Sequence, residues 1–164
     1  MSASTLIATL EKLYKLNKSL LDLSVRKTDA VKSGDMKGLD ELLKDEQKHI
    51  AAINTVENER QRQSAGYLTS LGLLTEAPPT LSQCIEYSKP DDQAVLLDWQ
   101  RKMTELISQL KERNELNQKL VYQSLQFVNM NLSIMQPQDQ QTTYARPNGE
   151  KKSPRQRSLF DSQA

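Results

Sequence analysis

A few residues in this chain carry side chains suited to chemistry, and their surroundings decide what they can do. His49 is the single histidine, and it stands between Lys48 and Ile50 with no second histidine or ligand cluster to complete a metal or acid–base site. Cys84, the single cysteine, has neither a C-x-x-C partner nor a nearby histidine, so it reads as a half-buried structural thiol and cannot form an intrachain disulfide. The pairs Asp40-Glu41 and Asp91-Asp92 have the residue types of catalytic acids, yet both fall where helix N-termini favour negative charge. No glycine-rich phosphate loop and no metal motif accompanies them. The expectation is a protein that is not an enzyme and works without cofactor, nucleotide or metal.

The feature that stands out is a lack of charge. From Leu120 to Gln138 the sequence LVYQSLQFVNMNLSIMQPQ holds no charged residue, although 26% of the chain is charged. On a helix, Leu120, Val121, Leu125, Val128, Leu132 and Met135 fall on one arc of about 140°, which predicts a core-facing stripe. Phe127, Met130 and Ile134 add a second row, widening the apolar arc to roughly 220°, where about 100° suffices for one-sided packing. The excess calls for cover by another part of the chain, a second copy or a partner. Gln123, Gln126, Asn129, Asn131 and Ser133 interrupt the run and argue against a membrane span, where each buried amide would need a partner.

The elements that must position this stretch follow from composition. Hydrophobic residues make up 37% of the chain and aromatics 5%, a profile of slender helices. Five glycines leave little room for ligand loops. The net charge is +1 with acidic and basic residues interleaved, so no footprint for nucleic acid exists. MSASTLIATLEKL lacks the basic start and long apolar run of a signal peptide, and no segment reaches the length of a membrane span. A cytoplasmic location is expected.

Apolar spacing predicts a first helix over about 4–33, seamed by Leu6, Leu10, Leu13, Leu20 and Val31, with Asn17, Ser24 and Lys27 on the same seam. Gly34 is a stop and Asp35 a cap for a second helix to about Leu71. That second seam carries Leu39, Leu43, Ile50 and Ile53 toward one end and Tyr67 and Leu71 at the other, and is polar at Glu46, Glu57, Arg60 and Ser64, which fits either an ion site or a splayed section. Pro78-Pro79 rules out continuation, and Thr80 to Gln83 has capping-box spacing for a short helix ending near Ser88. Pro90 then opens a last helix to Met135, with Trp99, Met103, Leu106, Leu110, Asn117 and Leu120 on its inner stripe. The predicted fold is all-α: an elongated antiparallel bundle of three long helices and one short one, over residues 1–135.

Residues 136–164 hold three of the six prolines and no helical apolar period. Such a segment cannot bury enough apolar surface to offset chain entropy, so a flexible, disordered C-terminal tail is expected.

Particular motifs sharpen this reading. Asn114 to Met135, NELNQKLVYQSLQFVNMNLSIM, resembles the C-terminal helix of the FlgN-type flagellar export chaperones, with the form Q-S-L-x-F-V-N standing as Gln123 to Asn129. GDMKGLDELLKDEQ, Gly34 to Gln47, is similar to that family's turn and leucine-rich second helix, and Tyr144-Ala145-Arg146-Pro147-Asn148-Gly149 resembles its tail turn with one extra residue between tyrosine and proline. The resemblance implies a chaperone that binds the terminal amphipathic segments of hook–filament junction proteins, prevents premature assembly and delivers them to the type III export gate. It also implies Leu125, Phe127, Val128, Met130, Leu132 and Ile134 as the cargo face, and Tyr144 as the gate-docking residue. The competing expectation is a structural coiled-coil adaptor that homodimerises through the wide apolar face, although Asn114, Asn117, Ser124 and Asn131 break its heptads.

Overall fold

The computed structural model describes residues 3–74 and 77–136, and every regular element among them is a helix. These are α1 (Ala3–Ser33), α2 (Met36–Ser70), α3 (Leu81–Glu86) and α4 (Pro90–Met135). Local chemistry sets each boundary. Gly34 adopts φ +71°, a left-handed conformation that L side chains resist, and the Asp35 N–H then donates to the Ala30 carbonyl at 3.0 Å, closing α1. The Asp35 carboxylate accepts from the Gly38 N–H at 2.9 Å and so starts α2. Thr80 and Gln83 form a reciprocal capping box at the head of α3, and Pro90 takes the first turn of α4. Gln136 is extended, as a residue before proline must be, and ends α4.

Three ties give the direction of packing on one side of α1. Lys12 meets Glu59 at 3.5 Å, Ser19 meets His49 at 2.8 Å and Lys27 meets Glu46 at 2.8 Å, so α2 descends as α1 climbs. On the other side Tyr14 stacks edge-on to Trp99, Ser24 bonds Asn114 and Thr28 bonds Asn117, so α4 climbs with α1. Helix α1 is therefore the shared spine of an up-down-up bundle. Among the described residues no Cα of α2 lies within 8 Å of one in α4.

The main core sits where α3 closes the bundle. Leu6 and Leu10 of α1, Tyr67 and Leu68 of α2, Cys84 and Ile85 of α3, and Leu96 of α4 are buried together, with Trp99 packed against them. Each fully buried leucine there contributes about 1.5–3 kcal/mol. A smaller cluster of Leu23, Ala30 and Leu42 holds α1 to α2 near the Gly34 turn. Between them Leu13, Leu106 and Leu110 stay buried, and polar positions of the α2 seam find partners. Glu46 pairs with Lys27 of α1, and Glu57 with Arg60 of its own helix at 2.7 Å. Of the two expectations for this seam, the ion site is present.

Two corrections follow. The inner stripe of α4 is buried or half-buried from Leu96 to Leu120, but Val121, Leu125, Val128, Leu132 and Met135 are exposed rather than core-facing. The reason is length. Thr28 stands level with Asn117, and α1 ends at Ser33, a level that α4 reaches near Tyr122. The remaining turns of α4 run on past the α1–α2 turn for about 20 Å. On α2, Leu42 rather than Leu43 enters the core, and Leu43 and Ile50 are exposed. Of the expected tail, 136–164, all but Gln136 lies outside the described residues.

Candidate functional site

The overhanging end of α4 is an apolar rod. Every residue from Val121 to Gln136 is exposed, and the six residues implied as the cargo face lie there together: Leu125, Phe127, Val128, Met130, Leu132 and Ile134. Phe127 is 62% and Ile134 74% exposed, values that leave most of each residue's surface to a partner. The two apolar rows thus share one fate. The short helix does not cover them, because α3 packs beside the start of α4, where Gln93 donates to the Ile85 carbonyl at 3.2 Å. Ser124 and Ser133 turn their hydroxyls back onto the Leu120 and Met130 carbonyls, which removes polar competition from the surface. Tyr144 lies outside the described residues.

A polar clasp anchors the rod. Ser24 Oγ donates to Asn114 Oδ1 at 3.0 Å, Thr28 Oγ1 to Asn117 Oδ1 at 2.6 Å, and Asn117 Nδ2 to the Ser24 carbonyl at 2.8 Å. Asn117 is 4% exposed, so these bonds form out of water and fix the register of α4 on α1. Asn114 and Asn117, two of the residues that break the heptad pattern of α4, are matched to Ser24, which breaks the seam of α1, and to Thr28 one turn on.

Below the rod, the gap between α2 and α4 is an open groove of about 690 Å³. Val31 lies on its floor, Leu39, Leu43 and Ile50 on one wall, and Val121, Tyr122 and Leu125 on the other. Lys27 and Glu46, each with a side chain only 14% exposed, form its one ion pair. Sequence reading placed Leu43 and Ile50 in the α2 seam and so missed this wall. A signal existed: α4 is 46 residues long and α1 31, so their apolar faces cannot match end to end.

The chemically suggestive side chains have structural partners. His49 Nδ1 lies 2.9 Å from the Asp45 carbonyl and Nε2 lies 2.8 Å from Ser19 Oγ, a tie between α1 and α2 whose third member is a backbone oxygen rather than a carboxylate. Cys84 is wholly buried rather than half-buried, and burial pushes its thiol above the ordinary range. The Arg60 guanidinium, bonded to Glu57, holds that carboxyl below the usual carboxylate range. Among the described residues no group of three His, Cys, Asp or Glu side chains could hold a metal, and no helix is long and apolar enough to cross a membrane.

A helical bundle whose longest helix ends in an uncovered, uncharged rod defines a class: an all-α binding protein. The FlgN protein family matches residues 1–152, and this chain belongs to that family, one of flagellar export chaperones. It is also 30% identical to the uncharacterized protein YvyG of Bacillus subtilis (strain 168), over the full length of both chains. No solved structure matches the chain.

Proposed function

We propose that this protein is a cytoplasmic type III export chaperone for hook–filament junction proteins. It holds a terminal amphipathic segment of its cargo on the overhanging end of α4, prevents premature assembly and delivers the cargo to the export gate. The observation that carries this reading is the uncovered rod from Val121 to Gln136, charge-free and apolar on several sides. Apolar residues at i, i+3, i+4 and i+7 spacing are how helices recognise one another, and Met130 and Met135 adapt such a surface to more than one guest. Residues 137–164 follow this rod in sequence, and in this reading Tyr144 among them docks to the gate. The action is binding alone, with no catalytic step.

The test replaces Phe127 and Ile134 together by Ser and measures affinity for a purified hook–filament junction protein. Losing two apolar anchors removes about 3–5 kcal/mol, a few hundredfold or more in affinity, with helicity and melting temperature unchanged. Binding as tight as the parent's overturns the assignment of this row to cargo.

A further inference from the structure

The groove between α2 and α4 has no role in the reading above, which it extends and on which it rests. We propose that this groove is a second part of the cargo site, seating one helix of the junction protein so that the guest completes a four-helix arrangement on α1.

Three observations lead there. First, α1 packs against α2 and α4 alike, while α2 and α4 meet only through side chains of the core near α3, and beside Lys27 and Val31 the place between them over the α1 spine is open. Second, the groove runs into the rod without a break: Leu125 belongs both to its wall and to the six-residue cargo face. From Asn114 at the inner end to Met135 at the tip is about 32 Å, the length of roughly twenty-one helical residues. A guest helix of that length seated in the groove therefore also meets the side of the rod that carries Val121, Leu125, Val128 and Leu132, while the row of Phe127 and Ile134, about 180° round α4 from Leu125, is left to another part of the guest.

Third, the lining selects the guest's chemistry. Its only charges, Lys27 and Glu46, neutralise each other, the ammonium meeting both carboxylate oxygens at 2.8 and 3.0 Å. The remaining lining residues are apolar or carry amides or a phenol. A guest face bearing an unpaired charge would lose its hydration with nothing to replace it. The complement is an uncharged apolar face with one hydroxyl or amide acceptor, which the remaining Lys27 proton can bond. Residues 137–164 of this chain fit poorly, since 137–145 are short and polar and Arg146, Lys151, Lys152, Arg155 and Arg157 crowd the stretch 146–157.

The test keeps the full chain and a purified junction protein. Leu43→Ser with Ile50→Ser alters α2 alone, at positions already exposed, and should weaken binding roughly tenfold or more. Phe127→Ser with Ile134→Ser, assayed in parallel, reports on the rod. Loss of affinity in both double variants supports the groove. Loss only in the α4 variant overturns the groove and leaves the chaperone reading standing; loss in neither overturns both. A photo-reactive benzoylphenylalanine at position 43 gives a readout independent of stability. It should yield a covalent adduct of one chain and one junction protein. Adducts formed only within the chain, or only between two copies, at saturating junction protein would show another occupant and overturn the proposal.

Discussion

Thr28 on α1 and Asn117 on α4 meet through their side-chain oxygens at 2.6 Å, although 89 residues separate them in sequence. Their contact is the last strong tie between the two helices before α4 leaves the bundle. Register at this point decides how much of α4 projects and which of its rows stand free.

Asn117→Ala should therefore cost about 1–3 kcal/mol, because Thr28 and the Ser24 carbonyl lose a buried partner at once. Urea unfolding measures the loss. Hydrogen exchange should show faster opening of α4 beyond Asn117 than around Leu96; uniform acceleration along the helix would contradict the clasp.

The Lys27–Glu46 pair is mostly shielded from water, and a double-mutant cycle can weigh it. Glu46→Ala alone strands the ammonium and should cost about 1–3 kcal/mol, between the values for exposed and buried pairs. Lys27→Met with Glu46→Leu should recover most of that stability. A double variant as unstable as the single one would show that the charges do more than cancel.

Leu125→Ala and Leu96→Ala separate rod from core. Leu96 is fully buried, and its truncation should cost about 2–5 kcal/mol. Leu125 is 57% exposed, and its truncation should stay within about 0.5 kcal/mol in the free monomer. A large thermal shift for Leu125→Ala would mean that the rod is covered.

Acid should weaken the middle of the bundle through Glu57. Arg60 lowers this carboxyl's pKa in the folded state, so the unfolded chain takes up the proton more readily. The stabilisation is complete above the unfolded carboxylate value and fades as pH falls from about 5 toward 3. Glu57→Gln should flatten this part of the stability profile, measured by denaturant midpoints across that range.

The helix boundaries were legible because the chain punctuates them with local chemistry. Gly34-Asp35, the Thr80–Gln83 box and Pro90 act within a turn of themselves, and the observed ends fall within about two residues of expectation. The facing of α4 beyond Leu120 was not legible from periodicity. An apolar period shows that a helix has a sticky side, but not whether a neighbour extends far enough to meet it. Leu42 and Leu43 show the same limit. Both suit a helix seam, and only the crossing of α2 over α1 decides that Leu42 goes inside. The six implied cargo residues do stand together on the surface, since one uninterrupted helix carries them.

The rod is a continuation of a helix already held along its first thirty residues, and this has a thermodynamic consequence. Starting a helix is the unfavourable step, while adding a residue to an existing one is nearly neutral. The overhang therefore needs no partner to set its backbone, and its exposed rows are preorganised. When a flexible guest settles on it, the conformational entropy lost belongs almost wholly to the guest. The protein behaves as a rigid template, and affinity is set by how readily the guest's own sequence takes up a helix.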